Sequence, residues 1–166
     1  MSARPEVDAV PEATAVERLH ILQTATSVAM VGVSPNPIRS SNFVATYLIR
    51  TPLRIHMVNP AADEILGRPA FPSLADLPEV PDIVDVFRRH DAIPAVVDEA
   101  IAVGAKVVWL QLGLRHDDAA RRAMDAGLLV VQDRCLKIEH ARFSGRLNLA
   151  GFDTGVISST RRRPLA

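Results

Sequence analysis

The chain has 166 residues, 48% hydrophobic and 23% charged, with 19 Lys+Arg against 19 Asp+Glu. This length suits one domain with a full core and is short for two, and the neutral balance supplies no long-range field to gather nucleic acid or a membrane surface. A single cysteine excludes an intrachain disulfide and a CxxC metal site.

Residues 1–15, interrupted by Pro5 and Pro11 and poor in apolar side chains, read as a flexible arm without the charged lead or apolar stretch of a secretory signal. One domain is expected over 16–159. It opens with "VERLHILQTA", where Val16, Leu19 and Leu22 recur at helical spacing. Five strand-length runs follow: "VAMVGV" (28–33), "RIHMVN" (54–59), "DIVDVF" (82–87), "KVVWLQ" (106–111) and "LLVVQ" (128–132). They are rich in Val and Ile and alternate little with polar residues, as strands covered on both faces do.

The segments between the runs are mostly helical. "SSNFVATYLIRT" starts at a serine cap and offers Val44, Tyr47 and Leu48 for burial. Residues 60–81 contain five prolines, leaving room only for one-turn helices around Glu64 and Ala75. "DAIPAVVDEAIAVGA" places Ile93, Val96, Val97, Ala100 and Ile101 on one helix face, with Asp91 as cap, Pro94 in the first turn and Gly104 as stop. "HDDAARRAMDAGL" repeats the design, with Asp117 or Asp118 near its start, Ala120, Ala123 and Met124 inward and Gly127 ending it. The basic run Arg161–Arg163 belongs to a solvated tail over 160–166. No apolar stretch reaches the roughly 18 residues of a membrane span, so a soluble, cytoplasmic protein is expected.

Strands alternating with helices predict a doubly wound, Rossmann-like α/β domain with a mainly parallel five-stranded sheet and helices on both faces. Ligands of such sheets bind beyond the carboxyl ends of the strands, where the strand order reverses. The first of those ends, "GVSPNPIRSS", has only Gly32, and the second strand ends in Asn59 and Pro60 in place of a ribose-binding acid, which disfavours ordinary NAD binding. No GK[ST] of a P-loop follows, and "GVSPN" lacks the second glycine of a nucleophile elbow. The turn still suits an anion: Ser34, Ser40 and Ser41 offer hydroxyls, Arg39 a charge, and the following helix its positive end. The same serines would serve equally as helix caps. "VFRRHD" brings Phe87, Arg88 and Arg89 to the third end, either as a planar phosphate-binding set or as a surface turn with Phe87 in the core. Cys135 and His140 in "QDRCLKIEH" are read as packing rather than as a nucleophile pair, and His56 as structural.

Taken together, "VAMVGVSPNPIRSSNFVATYL", "DIVDVFRR", "GAKVVWLQLGL", "AGLLVVQDRCLKIEH" and "LAGFDTGVISS" resemble the small stand-alone coenzyme A-binding proteins over about Ser27–Ser159. These are similar to the CoA-binding domain of the succinyl-CoA synthetase α subunit. The resemblance implies a Rossmann-like domain with CoA across the strand ends. The 3′-phosphoadenosine diphosphate would lie on Gly32, Val33, Ser34, Arg39 and Ser40, with Asn59 and Pro60 nearby. Val86, Phe87 and Arg88 would border the pantetheine or adenine, and Gln111 in "QLG" would close the site. The chain departs from the synthetase in lacking its glycine-rich first turn and the lysine-bearing segment after its second strand. It also has no counterpart of the phosphohistidine domain or of the nucleotide-binding subunit. The expectation is therefore binding of CoA or an acyl-CoA without catalysis, with no nucleic acid and no membrane as partner. A homodimer, another protein partner and a mixed disulfide between Cys135 and the CoA thiol stay open. The alternatives are an NAD(P)-linked oxidoreductase, with Arg39 on a 2′-phosphate, and a CoA-responsive interaction module.

Overall fold

The apolar runs of the sequence form the centre of one sheet in the computed structural model, which describes residues 9–144. Strands β1 (Ser27–Val31), β2 (Arg54–Val58), β5 (Ile83–Val86), β6 (Val107–Leu110) and β7 (Leu129–Val131) are parallel to their neighbours. Every residue of β1, β5 and β6 is buried, which is why these strands lack polar alternation.

The sheet has seven strands, not five. Where a one-turn helix was expected around Glu64, β3 (Glu64–Ile65) and β4 (Arg68–Phe71) form an antiparallel hairpin. Its two-residue turn, Leu66 and Gly67, has positive φ at both positions (53° and 72°), the backbone that tight hairpins require. The second expected turn is present as a 3₁₀ helix over Leu74–Asp76. Since β4 runs parallel to β2, with Met57 opposite Ala70, the order β3-β4-β2-β1-β5-β6-β7 contains the six-stranded Rossmann arrangement with β3 added at its edge.

Helices α3 (Ile93–Val103) and α4 (Asp117–Asp125) cover Val84, Val86, Val108 and Leu110 on one face. Helices α1 (Ala15–Thr24), α2 (Ser40–Leu48) and α5 (Leu136–Ser144) cover Val28, Met30, Met57 and Trp109 on the other. Several local expectations are corrected. Helix α1 starts at a Thr14–Glu17 capping box and buries Ile21 and Arg18, with Val16 exposed. The N-cap of α2 is Arg39, and both serines lie inside its first turn. Asp91 belongs to a 3₁₀ turn before α3, whose N-cap is Ala92; Pro94 and Gly104 hold their expected places. His116 caps α4 by accepting from the Ala119 amide at 3.2 Å, and Met124 is largely exposed. The segment after Cys135 is helical. The basic run Arg161–Arg163 and "LAGFDTGVISS" lie outside the described residues.

The buried charge on α1 has a specific partner. Arg18 Nε lies 2.8 Å from Glu139 Oε2 on α5, with the two side chains 6% and 2% exposed, and Arg18 also donates to the Ala13 carbonyl. Arg142 approaches the second Glu139 oxygen at 3.7 Å. Removing one partner of such a pair leaves an uncompensated buried charge and typically costs about 3–5 kcal/mol, whereas replacing both by apolar groups is often neutral. Chemical denaturation should therefore show Arg18→Ala strongly destabilised and Arg18→Met combined with Glu139→Leu close to the parent protein.

Candidate functional site

The strand order reverses between β1 and β5, so the chain leaves these neighbours for opposite faces and opens a crevice between them. At its base the two backbones nearly touch. Gly32 donates to the Val58 carbonyl at 2.9 Å and Phe87 to the Val31 carbonyl at 2.8 Å. A Cβ on Gly32 would lie 2.7 Å from the Phe87 carbonyl oxygen, and φ there is +86°, so the position needs glycine on both counts.

The turn beyond Gly32 is fixed by its own polar groups. The Ser34 amide donates to Ser41 Oγ at 3.0 Å, the Asn36 amide to Ser34 Oγ at 3.1 Å, and the Ile38 amide to Asn36 Oδ1 at 3.0 Å. Asn42 Nδ2 holds the Ser34 carbonyl, and Asn59 Nδ2 reaches across from the end of β2 to the Val33 carbonyl, both at 2.9 Å. No side chain caps α2, and while the Asn42 amide returns to the Arg39 carbonyl at 3.1 Å, the Ser40 and Ser41 amides stand at the positive end of the helix with no partner among the described residues.

The turn borders, through Gly32, Ser34 and Ser41, a cleft of about 610 Å³. Ser34, Arg39, Ser40 and Arg88 make one end cationic and rich in donors, while Val44, Leu112, Leu114 and Ile138 make other parts of the lining apolar. No carboxylate is in the lining, and neither Arg39 nor Arg88 forms an ion pair among the described residues. A multiply charged anion with an apolar extension matches that division.

Seven of the eleven residues expected to hold the coenzyme meet here, Gly32, Ser34, Arg39, Ser40, Phe87, Arg88 and Gln111, together with Ser41. Val33 and Val86 do not line the cleft; they are fully buried on opposite faces of the sheet. Asn59 acts on the backbone of the turn, and Pro60 is exposed beside it. Arg89 turns to Asp91, and His90 stacks on His116 with ring centres 4.7 Å apart. His56 is bound to Glu79, which Arg54 also holds, in agreement with a structural histidine. Cys135 lines the cleft, and burial pushes its thiol up from its ordinary range. His140 takes the Tyr47 hydroxyl at 2.9 Å instead of pairing with Cys135. Among the described residues no group of three or more His, Cys, Asp or Glu could hold a metal.

Beneath the lining lies a residue that pattern reading passed over. Asp85, in the middle of β5, has no exposed surface. Its Oδ1 accepts from Gln111 Nε2 at 2.6 Å, and its Oδ2 has no partner. Burial pushes its carboxyl up from 3.8 to about 8, against the weaker opposing effect of the Gln111 hydrogen bond. An acid in the run "DIVDVF" was the available signal.

The profile of the CoA binding domain family matches residues 26–141. The chain belongs to that family. It is 38% identical over 121 residues to the uncharacterized protein YneT of Bacillus subtilis (strain 168), covering 73% of this chain and 90% of that one. Among solved structures it is similar to a hypothetical protein from Pyrococcus horikoshii OT3, with 36% identity, a TM-score of 0.77 and coverage of 87% of this chain and 100% of that one. A Thermus thermophilus protein gives 37%, 0.74, and 79% and 99% coverage. The fold alone is shared with a dinucleotide-forming acetyl-coenzyme A synthetase of Ca. Korarchaeum cryptofilum, at 22% identity and TM-score 0.60, covering 65% of this chain and 26% of that one. No helix of the described residues is long and apolar enough to cross a membrane.

Two substitutions test this arrangement. Gly32→Ala must displace the Phe87 backbone and should destabilise the fold by roughly 2–4 kcal/mol in urea unfolding, at the upper end of single-residue effects. Asp85 binds its proton more tightly folded than unfolded, so its contribution to stability is full below pH 4 and declines as pH rises towards about 8. Asp85→Asn has no such titration; its melting temperature should fall less than that of the parent protein between pH 5 and pH 8.

Proposed function

We propose that this cleft binds coenzyme A or an acyl-CoA in the cytoplasm and that the chain performs no catalysis of its own. The observation that carries the reading is the uncapped start of α2, set beside Ser40, Arg39 and Arg88 at one end of a cleft whose remaining lining is largely apolar. The first-turn amides and the two guanidiniums would hold the phosphates, since charge-assisted donors at a helix N-terminus suit them best. The apolar lining would take the pantetheine arm. Membership of the CoA binding domain family supports the choice of coenzyme, and the absence of an acid in the lining accords with a ribose that carries a 3′-phosphate, which a carboxylate would repel.

Calorimetric titration of ligand-stripped protein with CoA, dephospho-CoA and NADP tests this directly. CoA should bind with micromolar affinity, and dephospho-CoA more weakly. Arg39→Ala and Arg88→Ala should each weaken CoA about 10- to 100-fold, the equivalent of one charge-assisted contact of about 1.5–3 kcal/mol. NADP binding without CoA binding would overturn the proposal and direct attention to redox chemistry.

A further inference from the structure

We propose that Asp85 is a positioning residue for the cleft: by accepting from Gln111 Nε2 it turns the Gln111 carbonyl oxygen towards the ligand, so the site selects an arm that brings an N–H donor to that point. The inference rests on the reading of the cleft as a CoA site, where the pantetheine arm carries two amide N–H groups.

Gln111 is only 6% exposed yet lines the cleft, and among the described residues its one side-chain hydrogen bond is that of 2.6 Å to Asp85 Oδ1. Its Oε1 accepts nothing from the described residues and is not among the enclosed orphan atoms. With Nε2 committed inward, the free oxygen is the group left to the cleft. Asp85 offers little else to the fold. It sits opposite Met30 on β1 and Trp109 on β6, and the Trp109 indole N–H is already given to the Arg134 carbonyl. An apolar residue would suit this strand position better, because an imperfectly satisfied buried carboxyl costs stability. The acceptor at Oδ1 is present whether the carboxyl is ionised or neutral. A buried polar group that costs stability but fixes a lining residue is explained by the lining.

The selectivity follows from the chemistry of a fixed acceptor. Amid Val44, Leu112, Leu114 and Ile138, a carbonyl oxygen that loses its water must regain a donor from the ligand. An amide-bearing aliphatic arm supplies one. An arm with only ester or ether oxygens does not.

The test combines ligand-free and ligand-bound measurements. In ligand-free protein, the Gln111 side-chain ¹⁵NH₂ signals should shift in Asp85→Asn, which can donate as well as accept. Calorimetry would compare CoA with 3′-phosphoadenosine 5′-diphosphate, which keeps the phosphates and lacks the arm. Asp85→Asn should weaken CoA about tenfold and leave the arm-less probe unchanged. In a Gln111→Met background the same substitution should cost CoA nothing further, because Asp85 acts through Gln111. Asp85→Val, which suits a buried strand, carries the same expectations should the Asn variant not fold. Unmoved Gln111 signals, equal weakening of both probes, or an undiminished effect of Asp85→Asn without Gln111 would each overturn the proposal. If the parent protein binds neither probe, the coenzyme reading fails and the arm selectivity falls with it, while the ¹⁵NH₂ comparison still decides whether Asp85 orients Gln111.

Discussion

The site depends on the approach of two backbones, Gly32 at the end of β1 and the Phe87 carbonyl at the end of β5. They come within the space that one side-chain carbon would need. Because β1 and β5 are neighbours whose chains depart to opposite faces, everything beyond this contact diverges: the serine-bearing turn to one side and the arginine-bearing loop to the other. The cleft is the wedge between them, and its angle is set where the strands still touch. The Arg88 side chain passes just outside the same contact, 3.1 Å from where a Gly32 Cβ would lie, so it enters the cleft from a fixed base. Ser41, Asn42 and Asn59 hold the backbone of the turn at the cationic end.

The opposite requirement governs the floor. Central parallel strands favour apolar residues on both faces, and β1, β5 and β6 comply apart from Ser27, which opens β1, and Asp85, the one charged residue among them. Conflict between a local rule and an observed residue is expected where function has taken precedence. The Asp85–Gln111 bond also joins β5 to the residue just after β6, so the floor is braced across two strands at their carboxyl ends. The turn's polar side chains and the buried acid share one role: each holds a group at the cleft in place from behind.

Sequence periodicity located the five main strands and four of the helices because their burial is simple. It failed where burial is not. Pro69 and Pro72 argue against a strand over 68–71, yet β4 tolerates Pro69 because it precedes the residues registered with β2, Ala70 and Phe71, and the hairpin bond to β3 is given by the Ala70 amide to the Asp63 carbonyl. Helix α5 turns only Leu136 and Glu139 fully inward, too little for an apolar stripe, and half of that inward set is a carboxylate matched by an arginine 121 residues away. Ser40 and Ser41 have the composition of a cap, but the chain enters α2 one residue earlier, at Arg39, and the serines face the cleft. The cleft-lining residues at the strand ends were legible through turn chemistry and family resemblance together. Asp85 and the α5 lining were not, since their roles depend on contacts between elements distant in sequence.

That last class of contact explains how the far wall of the cleft is kept in place. Helix α5 contributes Ile138 to the lining, and Cys135 lies just before its start, but the helix buries few apolar residues with which to anchor itself. Polar contacts supplement them on both flanks. Arg18 and Glu139 tie it to α1, while Tyr47 meets His140 and Lys137 lies 3.8 Å over the Phe43 ring on α2. The ion pair is buried and directional, so it fixes α5 along its axis in a way that apolar contact alone does not. The α2 contacts are more exposed and weaker, as an exposed cation–π contact contributes about 0.5–1 kcal/mol. The wall is therefore held firmly on the side away from the cleft and loosely across it.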